Sequence, residues 1–304
     1  MILFIGSSKD KVYPRFLAEL ESSGHPFALV DEDQAPSYAV ESDNAGWRVY
    51  GDGCVGRRPV RSIFVRHAVA RTLDLSVVGP MSSLQTTINR MLLESCCPVV
   101  NRPSRAFSNY SKPYQLGLLA QAGFDVPKTL VTNIPEEALR FHDECRQKMI
   151  FKGVSNVMSF AQVFKSEHFD RLQFLPNSPT QFQEFVQGAD YRVHVIGDQV
   201  FVTRLAASNE DYRRSALADQ EEILAQPAEL PPALIERCIR FTRSLGLIVG
   251  GIDFKESADG RLVALELNPF PQFTFYEGRS GQPITRAVVD YLASHQAADT
   301  NIFA

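Results

Sequence analysis

Asp253, Glu266 and Asn268 stand out in the largely apolar stretch GGIDFKESADGRLVALELNPFPQF, residues 250–273. Two runs rich in Ile, Phe, Val and Leu flank the pair Asp259-Gly260, which predicts a β-hairpin with a two-residue turn. In that register Asp253 lies directly opposite Glu266. Because side chains alternate along a strand, Asn268 shares the face of Glu266. Three oxygen-bearing side chains are therefore expected to converge at one end of the hairpin.

The chemistry of these three side chains points to a hard cation. Facing carboxylates repel each other and lose hydration when they are buried, and a bound cation removes both costs. Mg²⁺ commonly takes one or two carboxylates together with substrate phosphates. We therefore predict a Mg²⁺ site here, with Val263, Leu265 and Leu267 on the opposite, apolar face. For any single acid, the alternative of solvation or of pairing with an Arg or Lys stays open.

The bulk properties are those of an ordinary globular protein. The 304 residues are 44% hydrophobic and 22% charged, with a formal net charge of −4, which suggests two or three lobes and no nucleic-acid partner. The five cysteines have no C-x-x-C spacing, as is usual in a reducing compartment. The apolar run after Met1 is too short for a signal peptide, and no run approaches a membrane span. We expect a cytoplasmic protein that binds neither nucleic acid nor membranes.

The chain begins with a β-α-β pattern. ILFIG predicts a strand, YPRFLAELESSG a helix that ends at Gly24, and PFALVDED a second strand. Such a start is also typical of dinucleotide-binding proteins, with Asp31 as the acid that binds the ribose. However, the loop at residues 6–9 lacks the sequence G-x-G-x-x-G. A nicotinamide-dependent oxidoreductase therefore stays only as a further hypothesis, which a test of NAD(P)H binding would decide.

Later segments alternate hairpins with helices. Residues 190–205 predict a hairpin that turns at Gly197-Asp198. Helices are predicted over 84–96, 111–122, 135–148, 232–246 and 283–295.

Five motifs follow one another along the middle and the end of the chain: SKPYQ, MIFKG, QEFVQGADYRV, GIDF and LELNP. In this order they resemble the ATP-grasp superfamily of carboxylate–amine ligases, over most of residues 97–290. The chain looks most like the ligases that add glutamate to a ribosomal protein and the microviridin-type ligases that cyclise ribosomal peptides. The run NPFPQFTFYE is similar to the Asn-Pro-x-Gly-Gln-aromatic run of the second group.

The resemblance implies an α/β fold, with α+β lobes, in the three-lobed ATP-grasp arrangement. An N-terminal α/β lobe would cover residues 1–100. A central lid would cover residues 101–186. A C-terminal antiparallel-sheet lobe with the metal ligands would cover residues 187–304.

The resemblance also implies ATP and one or two Mg²⁺ ions, which Mn²⁺ could replace. Lys112 and Lys152 would contact the nucleotide phosphates. The ions would be held between those phosphates and the residues already singled out by their chemistry, Asp253, Glu266 and Asn268.

The adenine would be bound by the backbone of a hinge, Glu184, Phe185 and Val186. In ATP-grasp proteins the equivalent of the Glu184 carbonyl accepts from the exocyclic amine, and the equivalent of the Val186 N–H donates to a ring nitrogen. Asp190 would accept from the ribose hydroxyls.

The reaction of the resembled family transfers the γ-phosphate to a substrate carboxylate, and an amine then attacks the acylphosphate. Positioning and charge neutralisation do most of this work. Arginines suit the acylphosphate because their planar fork fits its oxygens. The candidates are Arg192, Arg204 and Arg213, of which Arg213 matches the family context best. For Arg192 and Arg204 a structural salt bridge stays open as the alternative, and Arg66 is expected to point toward the substrate. Amino acids, small acids and peptides all stay open as substrates, as does a homo-oligomer.

The chain departs from the family pattern at two places. The segment KGVSNVMSFAQVF has one glycine where many ATP-grasp proteins have a glycine-rich loop over the phosphates. Pro271 stands where the peptide-cyclising ligases usually have glycine, which bears on their substrate class more than on ATP binding. The glycine-poor segment favours an alternative. The alternative is a catalytically decayed ATP-binding regulator or scaffold, and Mg²⁺-dependent ATP consumption separates it from a ligase.

Overall fold

The computed structural model describes residues 1–43, 46–51, 60–67, 74–154, 161–206 and 224–295. These residues form three sheets with helices packed around them, together with a small hairpin of strands β3 (Ala39–Asp43) and β4 (Gly46–Tyr50).

The first sheet is parallel and has the order β2-β1-β5-β6. Its strands are β1 (Ile2–Gly6), β2 (Phe27–Asp31), β5 (Ser62–Arg66) and β6 (Val99–Val100). Helix α1 (Tyr13–Ser23) buries Phe16 and Leu20 and ends at Gly24, whose φ of 67° is the left-handed conformation that glycine adopts without strain. The predicted β-α-β start is therefore confirmed.

Helix α2 (Leu75–Glu94) begins nine residues before the predicted start at residue 84. Asp74 caps it by accepting a hydrogen bond from the Ser76 N–H at 2.9 Å. The prediction missed this cap because Gly79 and Pro80 follow within one and a half turns and are typical of a break.

The second sheet is antiparallel, with the order β7-β10-β8-β9. It contains β7 (Thr129–Thr132), β8 (Met149–Gly153), β9 (Gln162–Val163) and β10 (Thr180–Glu184), and helix α4 (Pro135–Glu144) packs on it. Met149, Phe151 and Phe182 lie in or against the apolar cluster of this sheet, whereas Lys152 and Gln181 pair on the other face.

The third sheet is antiparallel and has the order β13-β12-β11-β14-β15. It contains β11 (Asp190–Ile196), β12 (Gln199–Ala206), β13 (Leu224–Pro227), β14 (Val249–Glu256) and β15 (Leu262–Asn268). Helices α3 (Lys112–Gln121) and α5 (Pro232–Ser244) pack on its apolar face. On the other face lie α6 (Phe273–Ser280), which was not predicted, and α7 (Ile284–Ala293); both share one apolar cluster with α1 and β1.

The hairpin of β14 and β15 departs from its predicted turn. The turn residues are Ala258–Gly260, one more than predicted, with Gly260 at a φ of 81°. A β-bulge at Leu265 then shifts the register back by one residue. The predicted apolar face is consequently wrong in part, because Ala264, not Val263, joins Leu267 in the apolar cluster under α3 and α5. Val263 is buried as well, but it pairs with Lys255 on the other face.

The structure bears on two further expectations. Among the described residues, no helix is long and apolar enough to cross a membrane. The division into lobes at residues 100 and 186 stays a prediction, and α3, assigned there to the central lobe, packs against β15 of the third sheet.

Candidate active site

A row of polar side chains crosses the third sheet from strand to strand. Thr203, Arg192, Asp253 and Glu266 are neighbours in register on β12, β11, β14 and β15, so all four point to the same face. The predicted pairing of Asp253 with Glu266 is present. It survives the longer turn because the bulge at Leu265 offsets it.

Asp253 is held by a bidentate contact to Arg192. The Arg192 Nε lies 2.8 Å from Asp253 Oδ1, and Nη2 donates to Oδ2 at 3.0 Å. The same guanidinium donates to the Gly251 carbonyl at 3.3 Å, and its Cζ lies 5.0 Å from the centre of the Tyr276 ring. Burial strengthens such a charge-assisted contact. Arg192 therefore fixes the direction of the Asp253 carboxylate.

Glu266 and Asn268 lie two residues apart on β15, so their side chains share a face. Glu266 Oε2 is 3.6 Å from the Lys112 Nζ, and Lys112 is the first residue of α3. Asn268 Oδ1 accepts a hydrogen bond from the Phe270 N–H at 2.9 Å, and a carbonyl oxygen has a second lone pair to offer. The structure therefore brings Lys112 together with the predicted metal ligands.

The donor set fits Mg²⁺ by its chemistry. Two carboxylates and an amide oxygen are hard ligands of the kind that Mg²⁺ takes. Each acid also lies beside a cation, Asp253 beside Arg192 and Glu266 beside Lys112, so the pairing that the sequence left open is present too. Among the described residues, no group of three or more His, Cys, Asp or Glu side chains is placed to hold a metal ion. The metal ligation itself stays a prediction.

Lys152 lies on the second sheet, buried and directly opposite Gln181. Gln181 is fully buried, and neither its amide oxygen nor its amide nitrogen has a hydrogen-bond partner in the described part of the chain. Sequence analysis missed Gln181. The signal was available, because a polar residue within the strand TQFQE belongs to the face opposite Phe182.

The predicted hinge connects the second and third sheets. The Glu184 N–H donates to the Lys128 carbonyl at 3.0 Å and the Phe185 N–H to the Lys148 carbonyl at 2.9 Å, while Val186 follows at a half-buried position. Gly188 has a φ of 153°, and a Cβ there would collide with the Glu256 carbonyl oxygen. The chain just after the hinge is therefore closely packed against β14.

Asp190, the predicted ribose ligand, is paired with Lys255. The Lys255 Nζ lies 2.9 Å from Asp190 Oδ2, and the two residues face each other across β11 and β14. Sequence analysis missed Lys255. Alternation along β14 could have found it, since Lys255 follows Asp253 by two residues and shares its face.

The three candidate arginines have separate places. Arg192 lies in the polar row. Arg204 pairs in register with Tyr191 and lies exposed on the opposite face of the sheet, with its Cζ 6.0 Å from the Tyr191 ring. Arg213 and the segment after Lys152, residues 155–160, lie outside the described residues. The structure therefore brings Arg192, and not Arg204, to the predicted metal ligands.

His194 lies beside this row and is fully buried. Neither ring nitrogen has a hydrogen-bond partner in the residues that the structure describes, and the ring meets Tyr276 edge to face with centroids 5.0 Å apart. Burial first, and the positive charge of Arg192 second, lower the pKa of His194 well below its usual 6.5. The ring is therefore neutral and serves as part of the core.

The antiparallel sheets, the hinge between them and the row of acids and cations define an ATP-grasp protein. The chain belongs to the RimK-like ATP-grasp domain family, whose model matches residues 110–292. The fold and the superfamily predicted above are thereby confirmed.

Named relatives are ligases. A "Probable alpha-L-glutamate ligase" of Haemophilus influenzae is 27% identical over 215 residues, which cover 62% of this chain and 65% of that protein. A protein of the same name from Xanthomonas oryzae is 36% identical over 114 residues, which cover 36% of this chain and 37% of that protein. The chain thus spans less than two thirds of the length of these relatives.

Solved structures match over nearly the whole chain. The ATP-grasp ligase PsnB, complexed with a minimal precursor, has a TM-score of 0.82 and 28% identity, covering 96% of this chain and 98% of its own. PsnB complexed with minimal precursor, Mg and ADP has a TM-score of 0.81 and 29% identity, covering 96% of both chains.

Proposed function

We propose that the protein is an ATP- and Mg²⁺-dependent ligase that phosphorylates a carboxylate of a peptide substrate and joins the resulting acylphosphate to an amine. Membership of a family whose named relatives are ligases supports the reaction class. The peptide substrate is supported by PsnB, which is complexed with a minimal precursor.

One observation carries the proposal: Asp253 and Glu266 face each other across β14 and β15, within reach of Arg192 and Lys112. Buried opposing acids cost free energy unless cations offset them. This chain keeps both acids and places two cations beside them, which favours an intact site over the decayed scaffold.

Each residue has a role in the proposed reaction. Asp253, Glu266 and Asn268 would hold one or two Mg²⁺ ions, or Mn²⁺ in their place, and the metal would neutralise the charge of the phosphates. Lys112 and Lys152 would orient the phosphates as point charges. Arg192 would keep Asp253 in place and stabilise the acylphosphate oxygens.

The nucleotide would be bound at the hinge. Its adenine would pair with the backbone of Glu184, Phe185 and Val186, and its ribose with Asp190. Arg213 stays a candidate for the acylphosphate or the incoming substrate, from its context in the sequence alone.

Calorimetric titration with ADP, with and without Mg²⁺, tests the proposal. We expect Mg²⁺-dependent binding to the wild type, weakened in Glu266→Gln and unchanged in Glu167→Gln, an exposed glutamate between β9 and β10. Absence of Mg²⁺-dependent binding to the wild type, or equal binding to Glu266→Gln, would overturn it.

A second measurement identifies the substrate class. With ATP and hydroxylamine, an activated carboxylate is trapped as a hydroxamate, and free glutamate, small acids and acidic peptides can be compared. Hydroxamate formed on peptides but not on free amino acids is the expected outcome. ATP binding without any hydroxamate would instead favour the regulator or scaffold.

A further inference from the structure

Polar side chains from outside the third sheet hold residues 266–272, the segment that carries the predicted metal ligands Glu266 and Asn268. Gln115, on α3, binds the backbone of Leu267 in this segment. The Gln115 Nε2 donates to the Leu267 carbonyl at 2.7 Å, and Oε1 accepts from the Leu267 N–H at 2.9 Å. Leu267 lies between Glu266 and Asn268, so this paired contact fixes the backbone between the two ligands.

Asn101 holds the next part of the segment. It is 2% exposed, and its Nδ2 donates to the Pro269 carbonyl and, at 2.6 Å, to the Val249 carbonyl. Its Oδ1 accepts from the Ile248 and Val249 N–H groups at 2.9 and 3.0 Å. One amide thereby ties the end of β15 to the start of β14.

Arg66, at the end of β5 in the first sheet, holds the residues that follow. Its Nη1 donates to the Phe270 and Pro271 carbonyls, each at 3.1 Å, and its Nη2 to Gln272 Oε1 at 2.9 Å. Asp10 lies 3.0 Å from the Arg66 Nε and orients the fork. We expected Arg66 to point toward a substrate, but its guanidinium contacts residues 270–272 of the protein itself.

The segment needs such contacts because its prolines cannot donate hydrogen bonds. Pro269 and Pro271 lack an N–H group, and the pairing of β15 with β14 ends at Asn268. The carbonyls of residues 267, 269, 270 and 271 all accept from the three side chains described above. The direction of the Asn268 side chain therefore depends on Arg66 at one end of the segment and on Gln115 at the other.

We propose that Arg66 is a positioning residue for the metal site: it sets the geometry of Asn268 from the N-terminal sheet, without touching nucleotide or metal. This inference rests on the proposed function, since it needs the metal at Asp253, Glu266 and Asn268. Residues that orient metal ligands typically change metal affinity about 10- to 100-fold when they are removed.

The test measures how strongly Mg²⁺ improves ADP binding, as the ratio of the dissociation constants without and with Mg²⁺. In Arg66→Met we expect ADP binding without Mg²⁺ to stay within about twofold of wild type and the ratio to fall about tenfold. Arg66→Lys should recover part of the ratio, because an ammonium can reach one carbonyl but cannot fork.

Arg61→Met is the matched control. Arg61 also reaches from the first sheet to a carbonyl near the C-terminus, that of Ala293 at 3.2 Å, but it lies away from the metal ligands. Its ratio should equal that of the wild type. An unchanged ratio in Arg66→Met, or an equal loss in Arg61→Met, overturns the inference.

Two further outcomes also decide the inference. If Arg66→Met does not fold, Gln272→Ala replaces it, since it removes one acceptor of Arg66 at a half-buried position; a wild-type ratio there overturns the inference. If the wild type itself shows no effect of Mg²⁺, the proposed function fails, and the inference fails with it.

Discussion

Asp253 and Glu266 lie directly opposite each other although the turn between their strands is one residue longer than its Asp-Gly pair predicts. The unpaired Leu265 restores the register between the turn and the acids. A slip of one residue would send Glu266 to the apolar face. The bulge therefore preserves the one relationship on which the site depends.

Lys112→Met should weaken ADP–Mg²⁺ binding about 10- to 100-fold, because it removes a charged donor from the site beside Glu266. The free energy of unfolding should fall by about 1–3 kcal/mol, since the Lys112 and Glu266 side chains are only 11% and 17% exposed and the substitution takes this cation from the acid. Calorimetry and urea denaturation measure the two effects. The exposed Lys11→Met is the control, and equal affinities in both variants would contradict a phosphate contact for Lys112.

Gly251→Ala should destabilise the protein by about 1–3 kcal/mol and weaken nucleotide binding. A Cβ at residue 251 would lie 2.5 Å from the Arg192 Nη1 and 2.6 Å from the Pro271 Cβ, so the guanidinium that holds Asp253 must move. Denaturant unfolding and ADP titration provide the readouts.

Gly117→Ala is the control for that substitution. Gly117 lies in α3, and a Cβ there would meet nothing within 4 Å, so alanine should raise the free energy of unfolding by about 0.5–1 kcal/mol. If Gly251→Ala were as stable as Gly117→Ala, the prediction that a Cβ at residue 251 collides with its neighbours would be wrong.

His194→Phe should change how stability depends on pH. The pKa of His194 is lowered in the folded protein, so only the unfolded chain takes up a proton as the pH falls below about 6.5. Through this group, the free energy of unfolding therefore falls by about 1.4 kcal/mol per pH unit below pH 6.5 and does not change above it.

The Phe variant lacks this proton uptake, so its free energy of unfolding should fall less than that of the wild type between pH 6.5 and pH 5. At pH 7.5 it should unfold no more easily, because no hydrogen bond of the ring is lost among the described residues. His25→Phe, at a half-buried position before β2, is the control. Identical slopes in wild type and His194→Phe would refute the assignment.

Lys255→Met and Asp190→Asn should interact in a double-mutant cycle. Their side chains are 12% and 13% exposed and their charged atoms are 2.9 Å apart, so we expect an interaction of about 1–2 kcal/mol in the free energy of unfolding. The exposed pair Arg286 and Asp290 should give only about 0.3–0.5 kcal/mol. Equal values for both pairs would show that burial does not strengthen the Asp190 contact.

Local patterns were enough for a large part of this protein. Alternation and turn residues predicted the two hairpins and the common face of Asp253 and Glu266, and the order of five motifs predicted the ATP-grasp fold. The hairpin turn at Gly197-Asp198 also implies that Arg204 pairs with Tyr191, away from Arg192. Such features follow from the chain's short-range geometry, which the sequence by itself determines.

Only the tertiary structure decided what surrounds the site. The contacts of Arg66 with Phe270 and Pro271 join residues more than 200 positions apart, and those of Asn101 and Gln115 span about 150. The bulge at Leu265 likewise has no local signal. No periodicity encodes these contacts, because they depend on how separately formed sheets and helices pack and on which buried carbonyls then need a donor.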